Sequence, residues 1–142
     1  MASLEDAILL AVAAHRGQRD RVGQPYILHP LRVMCRLQGE AERTAGVLHD
    51  VVEDSEHSLD ELRARGYPED VVAAVDCLSR RPDETYLAYI ERIKPNALAR
   101  RVKLADLEDN MDLRRIATGA DLEVERYGRY VAAWHALRAL ED

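Results

Sequence analysis

The sequence has no phenylalanine and one tryptophan, so its interior must be built mainly from Leu, Val, Ala and Ile. Only two cysteines occur, Cys35 and Cys77. They lack Cys-x-x-Cys spacing and fall inside apolar helical patterns, so buried free thiols are expected rather than a disulfide scaffold or zinc knuckle. No apolar run approaches the ~20 residues that a membrane span needs. The acidic start, residues 1–6, lacks the basic flank of a secretory signal, and a cytoplasmic location is the expectation. Strand-like alternation, repeats and low-complexity linkers are absent as well. A basic balance is also missing: 20 Lys and Arg stand against 26 Asp and Glu, a formal net charge of −6. That opposes nonspecific nucleic-acid binding but permits a local basic pocket for a small anion.

What is present fits a folded globule. Hydrophobic residues make up 47% of the 142 and charged residues 32%, interspersed rather than segregated. The length suits one domain by the usual ~100 to 200 residues each, so residues 1–142 are expected to form a single all-α domain. Apolar residues recur every three or four positions, with Gly and Pro between the runs. Ser3 with Asp6 reads as a capping box opening a helix to His15 that Gly17 closes. A loop over residues 18–28 follows. Pro30 suits the first turn of a second helix over residues 31–38, and a third is expected over residues 40–54, with Val47, Leu48, Val51 and Val52 as its apolar stripe. Ser58 with Glu61 reads as another cap. Further helices are expected over residues 59–65, 68–79, 84–94, 96–110 and 121–140.

The chemistry concentrates in three segments. In Leu48-His49-Asp50-Val51-Val52-Glu53-Asp54, His49 with Glu53 and Asp50 with Asp54 are spaced four apart on an otherwise apolar helix, which gathers four polar groups on adjoining faces. Burying them together is costly unless a cation or a wet cleft compensates. The reading is either a metal site or a solvated acidic helix end. His29, before Pro30, is either a rigidly held ligand or a helix cap. Asp106 and Asn110 repeat the four-residue spacing on a later helix. Two imidazoles and two carboxylates suit Mn²⁺, Fe²⁺ or Zn²⁺ better than Ca²⁺ or Mg²⁺, with positions left for water.

The His49-Asp50 pair resembles the signature of the HD-domain phosphohydrolases. Four segments in order sharpen the likeness: Ala14-His15-Arg16-Gly17-Gln18, Gly23-Gln24-Pro25-Tyr26-Ile27-Leu28-His29-Pro30, His49-Asp50-Val51-Val52-Glu53-Asp54, and Val102-Lys103-Leu104-Ala105-Asp106. Together they resemble the hydrolase domain of the RelA/SpoT homologue family, and with no room for a synthetase domain the chain looks like a small alarmone hydrolase. The resemblance implies an HD-type helical bundle and Mn²⁺-dependent removal of the 3′-pyrophosphate of (p)ppGpp, with Zn²⁺ or Fe²⁺ as alternative ions. It implies His29, His49, Asp50 and Asp106 as metal ligands and Glu53 and Asp54 as catalytic acids that orient water and move protons. Asn110 matches a nucleotide-contacting position. Arg19, Arg21, Tyr26 and Lys103 are further expected substrate contacts, and Arg16, Arg32, Arg100 and Arg101 further cations for a polyphosphate.

The match departs in two places. Asp20 falls where the family usually has an Arg that packs on the base, which leaves guanine and adenine alarmones both open. Asp106-Leu107-Glu108-Asp109-Asn110 stands where the family commonly reads Asp-Arg-Leu-His-Asn. Tyr86 and Tyr89 either line the base or ribose side or belong to the core. The alternatives to a (p)ppGpp hydrolase are a (p)ppApp hydrolase, an HD phosphatase on another nucleotide, and a non-catalytic nucleotide-binding module. The expected partner is a small nucleotide, with neither nucleic acid nor membrane, and exposed apolar helix faces leave a homodimer open.

Overall fold

A computed structural model describes residues 1–116 and 122–141. Among these, structure is helical: α1 (Leu4–His15), α2 (Leu28–Cys35), α3 (Glu40–Leu48), α4 (Val51–Asp54), α5 (Leu59–Ala64), α6 (Glu69–Leu78), α7 (Tyr86–Ile93), α8 (Ala97–Asn110), a 3-10 turn (Leu113–Arg115) and α9 (Val124–Arg138). The only β feature among the described residues is an isolated antiparallel bridge between Arg19 and Pro25. The expected all-α class is borne out. No described helix is long and apolar enough to cross a membrane.

Local chemistry explains several of the helix starts. The Ser3 side chain accepts from the Asp6 N–H and the Asp6 carboxylate accepts from the Ser3 N–H, completing the capping box. Ser58, Thr85 and Asn96 likewise accept from an N–H of the first turn in α5, α7 and α8, each satisfying a donor that the helix itself cannot. Two expectations are corrected. The second helix starts at Leu28, ahead of the expected residue 31, because Pro30 sits comfortably inside a first turn where no N–H is needed. The third helix does not run unbroken to residue 54. It stops at Leu48 and resumes at Val51, because the Gly46 carbonyl accepts a 2.6 Å bond from the His49 ring and the chain turns there. The expected start of the last helix at Asp121 lies outside the described residues.

α3 occupies the middle, packing against α1, α2, α6 and α8. Val47, Leu48 and Val51 of its apolar stripe are fully buried, beside Val33, Leu62, Val72, Ile93 and Leu107. Each such side chain contributes about 1.5–3 kcal/mol on burial. Tyr67 and Tyr89 are the buried aromatics of this core. A Cβ at Gly46 would meet Leu37 Cδ1 at 2.7 Å and the Met34 Cα at 3.6 Å. The bare glycine thus brings α2 close to α3 and places His29 beside His49. The cysteine expectation is half corrected: both thiols are free, but Cys35 is exposed at the end of α2 and Cys77 is only half-buried.

Candidate metal centre and its cleft

The site lies where three helical segments converge. α2 supplies His29, the turn between α3 and α4 supplies His49 and Asp50, and α8 supplies Lys103, Asp106, Asp109 and Asn110. His29 Nε2 stands 2.8 Å from Asp106 Oδ1 and 3.8 Å from Asp50 Oδ2. His49 Nε2 stands 3.0 Å from Asp50 Oδ2 and 3.3 Å from Asp106 Oδ1. One ligand atom each from His29, His49 and Asp50 lies within 4.8 Å of the others. The break after Leu48 therefore replaces the expected continuous polar helix face with a turn that aims His49 and Asp50 at one point.

Both imidazoles are held by their far nitrogens. Nδ1 of His29 donates to Asp109 Oδ2 at 2.6 Å, and Nδ1 of His49 donates to the Gly46 carbonyl at 2.6 Å. With Nδ1 so committed, each ring turns its Nε2 toward the carboxylates, the arrangement that orients metal-ligating histidines. Nε2 of His49 is buried and has no hydrogen-bond partner. A buried ring nitrogen left unpaired among carboxylates is costly alone and satisfied by a cation.

The electrostatics agree. Burial pushes His29 and His49 down, but the charges and hydrogen bonds of Asp50, Asp106 and Asp109 outweigh it and raise both above the ordinary imidazole range. Burial pushes Asp50 up, yet the His49 charge holds it at about 2. A pocket that favours positive charge this strongly fits a divalent ion with mixed nitrogen and oxygen donors.

A cleft of ≈ 180 Å³ opens on this cluster, lined by Tyr26, His29, Asp50, Glu53, Arg80, Tyr86, Tyr89, Lys103, Asp106, Asn110 and Tyr130. The Tyr26 hydroxyl donates to Asp50 Oδ2 and the Asn110 amide to Asp106 Oδ1 at 3.2 Å. Lys103 lines the cleft, but its ammonium is held by Asp106 Oδ2 at 2.8 Å. Glu53 Oε1 accepts from the Arg80 backbone N–H at 2.6 Å. Burial raises Glu53, and burial with the Asp50 and Glu53 charges raises Asp54 to about 7. Asp54 is not among the residues lining the cleft.

Other expected contacts lie elsewhere. Arg21 pairs with Glu123 at 2.5 Å and Arg19 folds back to donate to the Gly23 carbonyl. Neither lines the cleft. Arg32, Arg100 and Arg101 pair with Asp109, Glu141 and Glu42. Asp20 builds its own loop: Oδ1 accepts from the N–H groups of Val22 and Gln24 at 3.0 and 2.9 Å. Sequence reasoning missed Asp109, Arg80 and Tyr130 as site residues. It also left His15 and Gln18 without a task. His15, buried, donates to Gln18 Oε1 and sets its ring, tilted by 52°, with its centre 5.1 Å from that of Tyr26, while Gln18 donates to the Asp54 carbonyl at 2.9 Å. The pair fastens the loop to α4.

Comparison with known proteins finds the same neighbourhood. Over 81 residues, 54% of its length, the chain is 41% identical to a GTP pyrophosphokinase of Streptomyces coelicolor, of which that segment is 9%. Over 82 residues, 55% of its length, it is 32% identical to the guanosine-3′,5′-bis(diphosphate) 3′-pyrophosphohydrolase of Borreliella burgdorferi, covering 12% of that protein. The chain thus spans about a tenth of the length of the curated relatives it matches. No family model matches it. A solved structure, described as a metazoan ortholog of SpoT that hydrolyzes ppGpp and plays a role in starvation responses, superposes with a TM-score of 0.77 at 24% identity, covering 99% of this chain and 85% of that one. The RelA/SpoT resemblance read from four short motifs is therefore borne out by sequence over about half of the chain, and the solved structure shares the fold over nearly all of it.

Proposed function

We propose that residues 1–142 act as one HD-type domain that hydrolyses the 3′-pyrophosphate of an alarmone, (p)ppGpp or its adenosine counterpart, using Mn²⁺ in the cytoplasm. The observation that carries this reading is the convergence of His29, His49, Asp50 and Asp106 on one point beside a cleft lined by Glu53. Relatives named for this reaction support it.

In the reaction a water oxygen bonds to the phosphorus attached to O3′, the P–O3′ bond breaks, O3′ takes up a proton and pyrophosphate leaves. His29, His49, Asp50 and Asp106 would hold the ion, which supplies Lewis acidity to the water and the phosphoryl group. Tyr26 and Asn110 orient Asp50 and Asp106 through their hydrogen bonds. Glu53, fixed by the Arg80 N–H, orients the water and accepts its proton. Asp54 lies outside the cleft lining, so the proton that O3′ requires is the one Glu53 has taken from the water, passed on from the same carboxyl.

The test is to incubate metal-stripped protein with ppGpp and with ppApp, with and without Mn²⁺, and to resolve the products chromatographically. Mn²⁺-dependent pyrophosphate release is expected, and the faster substrate identifies the base. Orthophosphate release instead would make the enzyme a phosphomonoesterase, and no release from either would leave a binding module.

A further inference from the structure

Two cations line the cleft among the described residues, and they are differently placed. Lys103 is neutralised by Asp106. Arg80 enters no ion pair with a described carboxylate: its Nε donates to the Glu84 carbonyl at 3.2 Å, and its guanidinium carbon stands 5.6 Å from the centre of the Tyr86 ring. Its neighbours differ, since Arg81 faces Asp76 at 3.6 Å and Arg92 is held by Glu84 at 2.7 Å. An aromatic face and a peptide carbonyl thus fix the Arg80 fork while leaving its charge uncompensated, as suits bidentate capture of a phosphate. Beside it, the Tyr86 hydroxyl is buried without a partner.

The backbone decides which phosphate. The Arg80 N–H donates to Glu53 Oε1 at 2.6 Å, so this residue is tied to the carboxylate at the reacting end of the cleft. We propose that Arg80 is the specificity-determining residue for a terminal phosphate: it holds the second phosphoryl group of a diphosphate whose first is attacked beside the histidine and aspartate cluster. The site then takes diphosphates in preference to phosphomonoesters. This rests on the pyrophosphohydrolase reading above and deepens it.

The experiment is a calorimetric titration of the Mn²⁺-loaded protein with inorganic pyrophosphate and with orthophosphate, at fixed free Mn²⁺, for the natural chain, Arg80→Ala and Arg80→Lys. The natural chain should bind pyrophosphate at least about tenfold more tightly than orthophosphate, and Arg80→Ala should lose about 10- to 100-fold in pyrophosphate affinity with less than about threefold change for orthophosphate. Arg80→Lys, keeping the charge without the fork, should fall between them. The Glu53 contact is to the backbone and survives both substitutions. A natural chain with no preference, or an Arg80→Ala chain that keeps it, overturns the inference. Alarmone hydrolysis without an Arg80-dependent preference removes this inference alone, while the preference without alarmone hydrolysis removes the alarmone reading and leaves the role of Arg80 standing.

Discussion

Asp109 and His29 form a wholly buried pair: the carboxylate of Asp109 is 0% exposed and accepts from Nδ1 of His29 at 2.6 Å, while Arg32 and Arg115 donate to the same carboxylate at 2.8 and 3.0 Å. This bond fixes which nitrogen of His29 faces the cluster, so Asp109 orients the ring without itself entering the cluster.

Replacing Asp109 with Asn should weaken metal binding by about 10- to 100-fold. The amide keeps the shape but offers the ring a neutral acceptor. Titration of stripped protein with Mn²⁺ measures it, and an unchanged dissociation constant would remove Asp109 from the support of the site.

Asp106 carries two loads, the imidazoles and Lys103. Asp106→Ala should abolish metal retention. It should also destabilise the metal-free protein by about 3–5 kcal/mol, because the Lys103 ammonium is left buried without its partner. Adding Lys103→Met should restore more than half of that loss without restoring the metal. Urea unfolding of the single and double variants separates the two loads, and a double variant no more stable than Asp106→Ala would show that Lys103 is not the source of the cost.

Glu53→Gln should retain the metal and lose about 10²- to 10⁴-fold in turnover, the usual range for a general acid or base. Steady-state assays alongside metal analysis decide it. A Glu53→Gln enzyme of full activity would take this residue out of the mechanism.

That His29, His49, Asp50 and Asp106 would come together was legible in the sequence because they are carried by short segments: His29 beside Pro30, the adjacent His49 and Asp50, and Asp106 with Asn110 one helical turn on. Capping chemistry at Ser3 and Ser58 made two helix starts readable as well. What escaped depends on long-range packing. No local pattern tells that Asp109 will meet a ring from α2, 80 residues away in sequence, or that Arg80, just past the end of α6, will face Glu53. Arg19 and Arg21 looked like substrate contacts because they sit in the right loop, but Gly23 and Glu123 claim them. The break at His49 escaped because its cause, the ring taking the Gly46 carbonyl, competes with a pattern that is otherwise that of a continuous helix.

The raised Asp54 gives the metal-free protein a distinctive pH dependence. Its folded value, about 7, lies above the ordinary 3.8, so between those values the folded state binds more protons than the unfolded one, and stability falls as pH rises through that window. Because the side chain is partly solvated, its share should be no more than about 1–2 kcal/mol rather than what the full shift would give. His29 and His49, also raised, act in the same direction, so the contribution of Asp54 must be read by difference. Asp54→Asn should stabilise the stripped protein relative to the natural chain at pH 8 and make little difference at pH 4, as read from urea unfolding at both values. An equal effect at both would mean that the asparagine acts through packing, and that the Asp54 carboxyl has its ordinary acidity in the fold.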